Sequence, residues 1–358
     1  GRVQATDGRP RHEVRRVAGL RRFRFLPEHA DLQRFRRPTF AGQDLIAGRT
    51  DGDAVEFDHS GAERFLSYVD GDRPLDAVWD HPAYRLAREH AELLDRDLTR
   101  EDIERALDGE TTTFSNLADL SENRERIAQL RAHVDANEDA WTARIERALE
   151  RVVPDADLSA VTLYLAVGYS SGLGLADGAY LNLNEPLFHR DPRQLLYTAC
   201  HEASHVVYER VHGTASRVTP DDLRSRAGQR RVFETVFHTE AYATYAPLEL
   251  RREDGVLGEH DHPISEDYAA LSDEGRLEEL VAEYDSVRER LRTEALPRET
   301  LLSTLFGGRR LPYRVGCALL AGIERREGEG AVRDAFHLDA AEFVERYDRV
   351  LDDYRGGA

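Results

Sequence analysis

The stretch from Asp191 to Gly213 constrains the fold more than any other, because its residues demand an apolar, buried helix. It opens Asp191-Pro192-Arg193-Gln194: an N-cap carboxylate, a proline at the first helical position and a glutamine placed to cap in return. Leu195, Leu196, Tyr197, Ala199, Val206, Val207 and Tyr208 follow as apolar positions, and Gly213 supplies a stop. Inside lies His201-Glu202-Ala203-Ser204-His205. On a helix His201 and His205 project from one face, about one turn apart. Two imidazoles so placed can grip one metal ion, with Glu202 beside them to handle a proton. The H-E-x-x-H spacing is that of zinc hydrolases.

A catalytic zinc ion takes three protein ligands and keeps one position for water. The third must come from another helix, and the segment Phe233 to Ala243 is the candidate. On a helical wheel Glu240 falls in line with Phe233, Val236, Phe237 and Ala243, the inward stripe. An unpaired carboxylate there costs on the order of several kcal/mol, so it requires a cation. Glu240 is therefore the expected third ligand. His238 is the alternative, although it shares a more mixed face with Glu234, and an Arg partner for Glu240 is the plainer explanation.

With these residues in view the chain resembles the gluzincin metallopeptidases: His201-Glu202-x-x-His205, then 34 residues, then Glu240-Ala241-Tyr242-Ala243. In that group the third ligand is a glutamate on the next helix, often in a Glu-Gly-x-Ala setting. The chain is more closely similar to uncharacterised zinc-dependent peptidases of bacteria and archaea. It shares with them the Ser60-Gly61-Ala62-Glu63 helix start, His81-Pro82-Ala83-Tyr84, a glycine-rich hairpin and Leu311-Pro312-Tyr313-Arg314-Val315-Gly316. The resemblance runs over roughly residues 54–350. Ala241 in place of Gly, and the longer gap before Glu240, separate the chain from the aminopeptidase and thermolysin-like branches, whose substrate rules do not transfer.

The resemblance implies zinc held by His201, His205 and Glu240, with Glu202 as general base and later proton donor to the leaving amine. A tetrahedral oxyanion needs a further donor. Tyr313 is preferred, since it stands at a helix start and Gly316 would let that helix approach closely; Tyr242 and His238 are rivals, and packing is the ordinary role of a helical tyrosine. The expectation is a zinc metallopeptidase acting on a peptide or protein substrate. The alternatives are a zinc hydrolase of a non-peptide amide or ester, and a non-catalytic helical binding protein with a structural or lost metal site.

The expected fold is α+β and mostly helical, with a zincin-like catalytic part, a small antiparallel sheet and an N-terminal helical part. Three stretches are expected: a basic lead-in over 1–50, a helical part over 51–155 and the catalytic part over 156–358. A strand over 54–58 precedes helices at 62–69, 81–94 and 99–108, the last opened by a capping box at Thr99. Helices are expected near 118–135 and 137–152, where His81, His90 and His133 upstream and within read as packed or surface residues. Val161 to Val167 alternates as a half-buried strand, Gly168 to Gly178 reads as a loop, and Tyr180 to Asn184 as a second strand. Such a sheet offers an edge to an extended peptide, or simply supports the metal helix. Helices follow at about 231–250, 264–292, 297–305, 312–326 and 340–354. His260-Asp261-His262 has the makings of a second metal site but sits in a polar loop.

Charge narrows the partners. A net charge of -19 and a pI of about 5.2 argue against nucleic acid. The 49 basic residues are all Arg; with acids in excess this suits a GC-rich genome and a salt-adapted organism. Residues 1–40 run the other way, carrying 11 Arg against Asp7, Glu13, Glu28 and Asp31, which reads as a loose lead-in or a basic arm for a partner or lipid. No apolar run reaches the length of a transmembrane segment. Gly1-Arg2-Val3-Gln4 carries neither Met nor an apolar signal core, which fits a soluble chain, cytoplasmic or exported after signal removal. Cys200 and Cys317 are expected as buried thiols. Oligomeric state is not legible.

Overall fold

Four short strands provide the floor on which the helices rest. The computed structural model describes residues 55–115, 117–153, 161–213, 217–257 and 263–355. The 1–50 lead-in and the His260-Asp261-His262 site lie outside them. The strands are β1 (Val55–Asp58), β2 (Val161–Ala166), β3 (Gly172–Leu175) and β4 (Gly178–Asn182), in the order β1-β2-β4-β3. β1 runs parallel to β2 and β2 to β4, while β3 is antiparallel to β4. The sheet is thus mixed, not antiparallel as expected. Long helical crossovers separate β1 from β2, and such connections let strands run in the same direction. β4, buried at every position, reads like a strand covered on both faces.

Between β1 and β2 the chain forms α1 (Ser60–Val69), α2 (Leu75–Trp79), α3 (Pro82–Leu93), α4 (Arg100–Leu107) and α5 (Leu120–Val152). Local chemistry sets the starts. Thr99 and Asp102 cap α4 reciprocally, and the His81 Nδ1 accepts the Ala83 N–H at 3.1 Å ahead of Pro82 in α3. α5 is one helix where two were expected. No Pro or Gly interrupts it, and the buried stripe Ile127, Leu130, Val134, Trp141, Ile145 and Leu149 stays in phase throughout.

After β4 come α6 (Pro186–Arg190), α7 (Arg193–His212), α8 (Arg226–Tyr245), α9 (Leu248–Glu253), α10 (Pro263–Ala269) and α11 (Glu274–Thr293). The helices expected over 231–250 and 264–292 are each divided. Pro247 disfavours helix at the residue before it, and Asp273 starts α11 afresh by accepting the Arg276 N–H. The chain closes with α12 (Arg298–Phe306), α13 (Leu311–Glu327), α14 (Glu329–Phe336) and α15 (Ala340–Tyr347). A 3-10 turn, Asp348–Tyr354, replaces the second half of the helix expected over 340–354. α14 was not expected; Gly328, at φ 88, ends α13 and lets the chain restart.

α7 runs through the middle, packed on β3, β4, α5 and α8. Two close approaches position it. Gly172 and Gly174 share one face of β3, and a Cβ on Gly174 would stand 2.2 Å from the Glu202 carbonyl oxygen. The stretch expected as a glycine loop therefore includes a strand, whose glycines are required by contact with α7 as well as by turning. On the far side a Cβ on Gly316 would meet the Ala241 Cβ at 2.7 Å, so α13 lies directly on α8. β1, from the 51–155 part, completes the sheet with β2 from the 156–358 part, and the described residues form one compact unit. Cys200 and Cys317 are buried free thiols. No described helix is long and apolar enough to cross a membrane.

Candidate metal centre

α7 begins one residue later than expected, with Pro192 at its N-cap. Gln194 reaches the Asp191 carboxylate, while the Leu187 carbonyl takes the Asp191 N–H. The Asp191 carboxylate accepts the Arg193 N–H at 3.1 Å and the Gln194 side-chain amide at 3.2 Å, and Gly213 ends the helix at φ 68. Eight residues into α7, His201 and the following His205 turn their Nε2 atoms toward one point, 3.1 Å apart. Glu240, in the last part of α8, brings its Oε2 to 3.5 Å from each. Ligands on a tetrahedral zinc ion at about 2.0–2.1 Å stand roughly 3.3–3.4 Å from one another. The triangle therefore has the size such an ion requires. Glu240 Oε2 is also buried with no hydrogen-bond partner, an expensive state that a cation relieves. The donor set fits zinc.

The ring of His205 is oriented from behind. Its Nδ1 faces the Thr239 hydroxyl at 3.4 Å, the kind of outer contact that leaves Nε2 aimed at a metal. Glu202 lies against β3: a Cβ on Gly172 would lie 2.6 Å from its Oε1. Among the described residues β3 pairs with β4 alone, at one end of the sheet, and its glycine face lies against Glu202 and His205. Its turn is tied to α7. Glu209 accepts the Ala176 N–H at 2.8 Å and pairs with Arg217, while Arg210 donates to the Ala176 carbonyl at 2.7 Å.

Tyr313, at the start of α13, completes the wall. Its ring is parallel to His201, 2° apart in plane with centroids 6.3 Å apart, and the Glu240 charge acts on its hydroxyl. Arg310 lies over the Tyr313 ring, its guanidinium carbon 3.6 Å from the ring centre. The rivals are occupied elsewhere. The Tyr242 hydroxyl donates to the Val332 carbonyl at 2.7 Å. His238 is fully buried among Tyr242 and Phe343, with its Nδ1 2.9 Å from the Tyr208 hydroxyl.

The electrostatics are those of a buried charge cluster. Burial works to lower the His205 pKa, but Glu240, Glu202 and Glu209 outweigh it and push it up to about 9. Burial likewise works to raise Glu240, and His205 and His201 overcome it, holding that carboxyl well below its ordinary value. Glu202 moves the other way: burial raises it, Glu240 adds to the rise and the two histidines only partly oppose it. One carboxylate is thus kept ionised as a ligand and its neighbour is made more basic. Burial pushes the Tyr313 hydroxyl well up, with Glu240 reinforcing, so it stays a proton donor.

Among the described residues one other trio has metal-ligand spacing, His59 with Asp135 and Glu138. Compared with known protein families, curated proteins and solved structures, the chain matches none. The structure brings together all five residues named from the sequence: His201, His205, Glu240, Glu202 and Tyr313. Thr239, Glu209 and Arg310 were not foreseen. Thr239 carried no signal beyond its place beside Glu240, whereas two glycines at strand spacing, Gly172 and Gly174, did announce a backbone pressed against a neighbour.

Proposed function

We propose that the protein is a zinc-dependent peptidase of zincin-like fold, with His201, His205 and Glu240 as ligands and Glu202 as general base. The observation that carries this reading is the buried Glu240 oxygen, without a hydrogen bond, facing two imidazole nitrogens at zinc-ligand spacing. Zinc bound there supplies Lewis acidity toward water and a carbonyl oxygen. Glu202, raised by burial, accepts a proton from the attacking water on its carboxylate and returns it to the departing amine nitrogen. Tyr313 offers its O–H to the oxygen on which negative charge develops. β3 supports a peptide in preference to a small ester as substrate. Among the described residues its outer edge has no strand partner, and its main-chain groups would take an extended chain along it as an added strand.

The experiment is Glu202→Gln in the purified, zinc-loaded protein, read by zinc content and by cleavage of a peptide library. The variant should keep one equivalent of zinc and lose more than about 100-fold in turnover. Normal cleavage by the variant removes Glu202 from the mechanism. A wild-type protein with stoichiometric zinc that cleaves esters or acylamides and no peptide transfers the site to non-peptide substrates; one without zinc leaves a non-catalytic binding protein.

A further inference from the structure

Arg310 stands immediately before α13 in a left-handed backbone conformation, φ 45 and ψ 48. Among the described residues only Asp95 is another non-glycine at positive φ. A side chain disfavours that conformation, and two glycines, Gly307 and Gly308, lie just upstream without being placed there. Strain of this kind persists where the surroundings hold a residue in place, and it gathers at functional sites.

The surroundings here are specific. The Arg310 Nε donates to Asp267 Oδ2 at 2.7 Å, and the Arg314 Nε to Asp267 Oδ1 at 2.8 Å. Asp267 is 1% exposed, so both carboxylate oxygens are committed inside the protein. Arg314 also donates to the Gly308 carbonyl at 3.2 Å, which fastens the turn that presents Arg310. Arg310 then lays its guanidinium on the Tyr313 ring at 3.6 Å. The order of contact runs from buried Asp267 through Arg310 to Tyr313, whose ring lies parallel to His201 and feels the Glu240 charge.

We propose that Arg310, locked by Asp267, is the positioning residue for Tyr313: its flat guanidinium pins the phenol ring so that the hydroxyl stays at the metal centre. This inference rests on the peptidase reading, in which Tyr313 serves the oxyanion. Tyr313 is 9% exposed at the first turn of its helix, and a planar cation stacked on its face fixes the ring's orientation. Lysine has the charge without the plane, so it does not substitute. The cation also draws electron density from the phenol and strengthens its O–H as a donor.

A cycle of wild type, R310G, Y313F and the double variant tests this in zinc-loaded protein, with zinc content measured in each. Glycine adopts φ 45 without strain, so R310G removes the guanidinium and spares the turn. R310G and Y313F should each lower kcat about 100-fold and leave KM within about twofold. In the Y313F background R310G should cost nothing further. Affinity for a phosphinic dipeptide, a tetrahedral mimic, should follow the same non-additive pattern. Additive losses would mean that Arg310 meets the substrate itself, and would overturn the proposal. Full recovery by R310K would overturn the stacking role. A crystal structure of R310G should show the Tyr313 ring displaced; an undisturbed ring contradicts the proposal. Failure of the wild type to cleave any peptide sinks the peptidase reading alone, because the ring position in R310G still decides whether Arg310 holds Tyr313.

Discussion

Two trios of histidine and carboxylate share metal-ligand spacing in this molecule, and their difference shows what spacing alone does not supply. His59 stands 3.3 Å from Asp135 and 3.6 Å from Glu138, but those carboxylates are 51% and 38% exposed. Water reaches these carboxylates, although both His59 ring nitrogens are buried without a hydrogen bond. The second trio, His201, His205 and Glu240, is closed in by β3, α8 and α13, and Glu240 keeps a buried oxygen with no hydrogen bond. In the first trio the carboxylate charge is met by solvent. In the second it is not, and a cation is the cheapest remedy.

The largest expected effect separates the two trios directly. Wild type should carry one equivalent of zinc; Glu240→Ala should weaken zinc by more than about 100-fold, whereas His59→Ala should leave the equivalent in place. Metal analysis after dialysis reads both, and a second equivalent lost in His59→Ala would erase the distinction. Next in size is the wall that closes the inner trio. Gly174→Ala drives a methyl into the α7 backbone and should cost about 3 kcal/mol in urea unfolding. Gly330→Ala, which meets nothing within 4 Å and lies in α14, should be neutral or stabilising by about 0.5 kcal/mol.

A third histidine sharpens the contrast, because both its nitrogens are bonded within the fold. His81 accepts the Ala83 N–H at Nδ1 and meets the Ser60 hydroxyl at Nε2, 2.8 Å away. Burial holds its pKa down to about 4, below the ordinary histidine value near 6.5. Between those pH values the unfolded chain takes up a proton that the folded one refuses. Its contribution is therefore complete above pH ~6.5 and is lost as pH falls toward ~4, about 2–3 kcal/mol in all. His81→Asn keeps a capping group that does not titrate, so its stability deficit against wild type should shrink between pH 7 and pH 4.5. A deficit constant with pH would show that His81 takes up its proton as readily in the folded chain as in the unfolded one. The smallest effect belongs to the outer trio: His59→Ala should change stability by no more than about 1 kcal/mol, less at high salt.

Much of the inner site was legible because its signals are local. Capping at Asp191 and Thr99 needs a few neighbouring residues, and Glu240 stood out as a carboxylate on an otherwise apolar helical stripe. The continuity of α5 was not legible because no buried position falls between Val134 and Trp141, and only the whole helix shows the stripe resuming in phase. Strand direction and the role of β3 were not legible either. They follow from which strand finds which partner, and alternation along one strand does not name its neighbour. The pairing of Arg310 with Asp267 joins residues 43 apart in sequence. In a chain whose basic residues are all Arg, nothing marked this one except its place before Pro312.

From sequence alone came the helix that presents two imidazoles, the inward carboxylate on a later helix, and the acidic balance of the whole. Those depend on periodicity and end-capping, which act over one or two turns. Only tertiary structure decided that Gly172 and Gly174 lie on α7, that Gly316 lets α13 rest on α8, and that Asp267 holds Arg310 over Tyr313. Each of these is a contact between segments far apart in the chain, chosen by which surfaces fit at van der Waals distance, and no local pattern encodes that fit.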